Sequence, residues 1–183
     1  MTSDELRARL RAGRATVVVL DTNAMVRRQY EALQKPLEQV NRKAGQTLLR
    51  LVVPWLVSAE SVFRHRRTYG HGYDVDLIRE SMDAFVNGGG ELEPFEALAA
   101  TRYARELWRA YPDDSAWRSA RRQARADRGE TGRWGTHVDW FIASHAADPD
   151  RVLLSDDSGH ELAWVQRIRV ADLRSALAAF LDA

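Results

Sequence analysis

The run Val17-Val18-Val19-Leu20-Asp21-Thr22-Asn23 constrains this chain more than any other stretch. Four large apolar residues in a row, three of them β-branched, suit a strand buried on both faces, as in a parallel sheet. The run stops at a carboxylate, a hydroxyl and an amide. Open α/β sheets bind their ligands outside the carboxyl ends of the strands, so Asp21 falls where such folds place chemistry. Asp21 and Asn23 are also good turn formers and helix caps. What separates the two readings is whether other carboxylates converge on the same edge.

Two further buried runs, Leu51-Val52-Val53 and Arg151-Val152-Leu153-Leu154, read as strands. Arg167 to Val170 suits a last strand and Glu91 to Pro94 a short edge strand. Between them the apolar spacing is helical: Ser3 to Ala12, Ala24 to Arg50 with breaks at Pro36 and Gly45, Trp55 to Arg67, Asp74 to Val86, Phe95 to Arg109, Thr136 to Ala147, a short helix at Glu161 to Trp164, and Ala171 to Leu181. Tyr111 to Trp134 is the least regular stretch, with a turn at Pro112-Asp113-Asp114-Ser115. Strands alternating with helices predict βαβ units and a parallel sheet. The 183 residues fit one domain, with extra material around 69–90 and 111–134.

The absence of cysteine excludes disulfides and thiolate metal sites. A bound metal would have to be held by oxygen or imidazole ligands, which favours a hard ion such as Mg²⁺ or Mn²⁺. No apolar run approaches the roughly 18 residues of a membrane span. The start, Met1-Thr2-Ser3-Asp4-Glu5, lacks the apolar segment of a signal peptide, so a cytoplasmic location is expected. The net charge of +1 does not mark a nucleic-acid binder by itself.

Carboxylates recur at strand ends. Asp21 ends the first buried strand, and Asp156 and Asp157 follow the third after Ser155. Glu60 lies early in the helix after the second. In a parallel sheet these positions share one edge. Asp139 is different, because its helix precedes a strand, and Thr136-x-x-Asp139 reads equally well as a capping box. Glu60 is also spaced for an i,i+4 pair with Arg64, worth roughly 0.3–0.5 kcal/mol.

In this order the motifs resemble those of the PIN-domain nucleases, including their toxin members. The resemblance rests on Leu20-Asp21-Thr22-Asn23, on Val53-Pro54 followed by Ser58-Ala59-Glu60, on Asp139-Trp140-Phe141-Ile142-Ala143-Ser144, and on Leu154-Ser155-Asp156-Asp157. It spans Thr16 to about Val170. It implies a three-layer α/β/α fold, with a parallel sheet of about five strands flanked by helices. It also recruits Asp139 to the acidic cluster, which topology does not. Asp21, Glu60, Asp139 and Asp157, with Asp156 as the neighbouring alternative, would then bind Mg²⁺ or Mn²⁺. Thr22, Asn23 and Ser155 would support them. The activity implied is phosphodiester hydrolysis, usually of RNA, often by a toxin partnered by an antitoxin protein and often as a homodimer. The chain is longer than the compact toxins, by the same two segments noted above.

A polyanionic substrate at an acidic cluster needs cations nearby. Arg118, Arg121, Arg122, Arg125, Arg128 and Arg133 are the candidates for phosphate contacts, with Trp134 placed to stack on an unpaired base. The same run, with Asp127 and Glu130 interspersed, also reads as a solvated helix face. Arg64, Arg66 and Arg67 form a second candidate patch. His65, His71, His137, His145 and His160 show no metal-ligand spacing and read as surface histidines.

Among rival readings, a phosphoacceptor receiver domain needs a lysine at a later strand end, and Lys35 and Lys43 both lie in the helical region after the first strand. A dinucleotide-binding module needs a Gly-x-Gly-x-x-Gly turn after a strand, which is missing. A PIN-like module that binds RNA or protein without cleaving it, and a DNA or flap-type nuclease, remain as alternatives.

Overall fold

The computed structural model describes residues 1–26, 29–61, 75–128, 135–157 and 162–183. Its centre is a five-stranded, all-parallel sheet in the order β3-β2-β1-β4-β5. The strands are β1 (Thr16–Leu20), β2 (Leu49–Pro54), β3 (Glu91–Glu93), β4 (Arg151–Leu154) and β5 (Arg167–Ile168). β1 is central, pairing Val18 with Leu51 on one side and with Val152 on the other. Every residue of β1 is buried, as its unbroken apolar run predicts.

The helices are α1 (Ser3–Arg11), α2 (Thr22–Val26), α3 (Glu31–Ala44), α4 (residues 55–61), α5 (Val75–Asn87), α6 (Ala97–Ala110), α7 (Asp114–Arg128), α8 (Gly135–Ser144) and α9 (Val170–Leu181). From β1 the chain moves outward through β2 to β3, then returns to add β4 and β5 on the other side. Right-handed crossovers therefore put the helices of the two halves on opposite faces. α3 packs on β2 and α9, and α9 packs on α1, forming one layer; α6 and α8 pack together in the other. Ile142 and Ala143 of α8 join Val18, Val19, Leu20, Val52, Leu153 and Leu173 in one core. Full burial of each such Val or Leu side chain is worth roughly 1.5–3 kcal/mol.

Three expectations change. Pro36 does not break α3, which runs through it to a Gly45 cap at φ 65°. The bond Pro36 forfeits would have engaged the carbonyl of Ala32, an exposed residue open to water. The stretch expected to be irregular holds a fifteen-residue helix, α7, because Ala, Arg and Gln are good helix formers once the turn at Pro112 is past. β2 begins two residues before the expected strand, at Leu49. Residues 162–164 of the helix expected at 161–164 form a turn that contains no α-helix, while residue 161 and the far end of the helix expected over 55–67 lie outside the described residues. Among the described residues no helix is long and apolar enough to cross a membrane.

Candidate active site

The β1–β4 boundary is where the connections leave in opposite directions, the place where open α/β sheets form their ligand crevice. Asp21 stands there. Its N–H donates to Leu154 O of β4 at 3.2 Å, and its carbonyl accepts from Met25 N–H, opening α2. The residue is only 5% exposed. Burying a carboxylate without partners is costly, and here it has donors. Oδ1 accepts the Thr22 N–H at 2.6 Å, and Oδ2 accepts the Ser155 hydroxyl at 2.8 Å. Ser155, buried at the end of β4, in turn accepts the Asp157 N–H at 3.1 Å.

Thr22 carries the arrangement to a third element. Its buried hydroxyl donates to Glu60 Oε2 of α4 at 2.5 Å. Residues that follow β1, β2 and β4 are therefore tied together by hydroxyl and amide donors. Hydrogen bonds from neutral donors to carboxylates are charge-assisted and hold the acceptors in place. Asn23 follows Thr22 in the first turn of α2 and is partly exposed.

The two acids after Ser155 part company. Asp156 Oδ1 accepts the N–H of Val170, the first residue of α9, at 3.2 Å. That N–H is one of the donors a helix start leaves unsatisfied, so Asp156 acts as a remote cap. Asp157 is exposed, and its carbonyl accepts from Arg167. Asp139 is partly exposed in the second turn of α8. Since α8 begins at Gly135, Thr136 lies inside the helix and is not its N-cap.

The acidic side chains and hydroxyls at this edge form an all-oxygen donor set, which suits a hard divalent cation. Among the described residues, no three acidic or histidine side chains stand close enough to hold an ion between them. Carboxylates brought together without a counter-charge repel by roughly 1–4 kcal/mol per pair at effective dielectrics of 80 to 20. In this arrangement Asp21, Glu60 and Asp156 each bond to a hydroxyl or backbone amide.

Of the expected phosphate-binding arginines, Arg118 pairs with Asp114 at 2.6 Å on the exposed surface of α7, and Arg122 donates to Ser119 Oγ at 3.2 Å. Arg121, Arg125 and Arg128 share the backbone of α7, with side chains outside the described residues, as are Arg133, Trp134 and the Arg64, Arg66 and Arg67 patch. His65, His71 and His160, and the His137 side chain, lie outside them too.

His145 is not a surface histidine. It is 1% exposed, and its Nδ1 lies 2.9 Å from Glu93 Oε1. Arg151 closes on both Glu93 oxygens and on the His145 carbonyl. Burial works to raise the Glu93 pKa. Hydrogen bonds from Arg151 and His145, reinforced by their charges, outweigh it and lower the pKa to about 2. Nothing in the sequence spacing signals this cluster, since Glu93 lies 52 residues from His145 and 58 from Arg151. α6 holds a further cationic group: Glu106, nearly buried, takes Arg105 Nε at 3.0 Å and Arg109 Nη1 at 2.7 Å.

No family model and no curated protein matches the chain. Among solved structures, a chain of the crystal structure of VapBC2 from Rickettsia felis, bound to a DNA fragment from their promoter, aligns with a TM-score of 0.50. The alignment covers 84% of this chain and 98% of that one, at 15% sequence identity. The likeness is one of fold. The five parallel strands flanked by helices are consistent with the PIN-like architecture expected from the sequence.

Proposed function

We propose that this chain is a Mg²⁺- or Mn²⁺-dependent nuclease hydrolysing phosphodiester bonds, specifically an endoribonuclease acting as the toxin of a toxin–antitoxin pair. The observation that carries the reading is the buried Asp21 carboxylate at the switch point, gripped by Thr22 and Ser155 and linked through Thr22 to Glu60. A buried acid oriented by hydroxyl and amide donors at a ligand crevice is placed to meet a cation. Asp21 and Glu60, joined by Asp139 and Asp157, are the ligands in this reading. Asp156 is the weaker choice because it is engaged at the start of α9. A bound ion lowers the pKa of a water and neutralises charge on the phosphoryl group. Ser155 and Thr22 keep their carboxylates oriented, and Asn23 lines the same edge. The arginines of α7 contact phosphates.

The fold shared with a chain of VapBC2 supports a partner antitoxin, and it is compatible with a homodimer acting in the cytoplasm. A second reading, a PIN-like module that binds RNA or protein without cleaving, is favoured by the hydroxyl and amide donors already on the acids.

Cleavage of labelled single-stranded RNA by the wild type and by Asp139→Asn, with Mn²⁺ and then with EDTA, separates the two. The nuclease reading predicts cleavage by the wild type that is lost with either change. Cleavage that survives the substitution removes Asp139 from the ligand set. No cleavage of any RNA or DNA substrate leaves the binding module.

A further inference from the structure

The solvent-facing side of α6 has an unusual composition. Trp108 is 71% exposed. Arg105 and Arg109 flank it, their side chains 63% and 72% exposed. Glu106 is the helix's only acid, and its side chain is 8% exposed beneath the two arginines. One nearly buried negative charge thus serves two guanidiniums, leaving a net positive charge on the surface. Each arginine spends one N–H group on Glu106 in the observed bonds, and each guanidinium carries five such donors. The side chains are largely exposed, and the bonds to Glu106 restrict them, which lowers the cost of ordering them on a ligand.

An exposed indole among restricted guanidiniums matches the chemistry of an unpaired nucleotide, with the base stacked on the ring and phosphates on the arginines. A protein partner docking on an apolar stripe is less well matched. The other large exposed apolar residue on α6, Leu98, is ten residues away, and Thr101 and Arg105 lie between them. The position also suits a substrate of the candidate active site. Tyr111, which caps α6 three residues after Trp108, sets its ring 6.0 Å from that of Trp140, the neighbour of Asp139 in α8.

We propose that Trp108, Arg105 and Arg109 form a binding site for an unpaired nucleotide of single-stranded RNA, leading the strand toward Asp139. The assignment rests on the nuclease reading for its substrate, but its test does not require cleavage. Binding of a labelled single-stranded oligoribonucleotide is measured in EDTA by fluorescence anisotropy, for the wild type, Trp108→Ala, Trp108→Phe and Arg109→Gln. Melting curves confirm that each variant folds, and sedimentation reports its oligomeric state. Trp108→Ala is expected to weaken binding between about five- and about a hundredfold, Trp108→Phe to restore most of it, and duplex RNA binding to stay unchanged. Arg109→Gln should lower the salt dependence by about 0.7, one phosphate contact on a single strand.

Equal binding by wild type and Trp108→Ala overturns the site, as does a wild type that binds no single-stranded RNA. If Trp108→Ala dissolves a dimer and leaves RNA affinity intact, the surface belongs to a second copy and the site is again overturned. The nuclease reading fails separately, on absence of Mn²⁺-dependent cleavage by the wild type.

Discussion

Two carboxylates in this molecule are held in place by different chemistry. At the sheet's switch point Asp21 is buried, and its carboxylate accepts from a backbone amide and a hydroxyl. Away from it, Glu93 is half-buried against a permanent cation, Arg151, with His145 alongside. The second centre carries its own counter-charge and is complete. At the first, Thr22 and Ser155 orient the carboxylate oxygens of Asp21 at the sheet's ligand crevice. A protein that needs a carboxylate only for its fold can pair it as Glu93 is paired. In the proposed nuclease, the hydroxyl and amide donors orient Asp21 toward a cation at the crevice.

That contrast can be broken in several ways. The largest effect is expected from Asp21→Asn. RNA cleavage should fall by more than the roughly 10–100-fold typical of losing an outer-shell partner of a metal site, with little change in melting temperature. Glu93→Gln should do the reverse, costing about 1–3 kcal/mol of stability by leaving Arg151 without its acid, while cleavage by the folded protein is unchanged. A variant pair that failed to split in this way would erase the distinction.

Next in size is Ser155→Ala, which removes a support of Asp21. Cleavage should drop about 10–100-fold, less than with Asp21→Asn, and excess Mn²⁺ should recover part of it. A drop equal to that of Asp21→Asn would make Ser155 a ligand in its own right.

The pH dependence should also report Glu93. Its folded pKa of about 2 lies below the ordinary 4.5. The pair's stabilisation is therefore fully present above about pH 4.5 and is lost as the pH falls toward 2. Acid titration of the wild type should show this loss, and Glu93→Gln should flatten the curve in that window. Arg118→Ala gives the smallest effect. Its pair with Asp114 is exposed on both sides, so stability should move by less than about 0.5 kcal/mol.

Parts of this architecture were legible because local chemistry alone decides them. β1 and β4 are runs of large apolar residues that end in polar ones, and only a central buried strand suits such a run. The placement of Asp21, Glu60 and the pair Asp156 and Asp157 then follows from the shared edge of a parallel sheet. Asp139 did not follow, because its helix precedes a strand and its position depends on how α8 packs. α7 was hidden because its Arg-rich sequence lacks an apolar stripe that stands out from the turn residues before it. The Glu93–His145–Arg151 cluster was invisible for another reason: Glu93 and Arg151 are 58 residues apart in sequence, joined only by the path of the chain across the sheet. Trp108 escaped notice because an amphipathic pattern assigns a tryptophan to the core, whereas α6 turns it to water.

In the proposed nuclease the switch-point acids take up a cation and the Glu93 centre does not. Thermal unfolding with and without millimolar Mn²⁺ tests this claim most directly, for the wild type, Asp21→Asn and Glu93→Gln. Mn²⁺ at about a hundred times its dissociation constant should stabilise the wild type by about 2.7 kcal/mol. Glu93→Gln should start lower and gain the same amount, and Asp21→Asn should gain almost nothing. No shift in the wild type, or an equal shift in Asp21→Asn, would contradict the account.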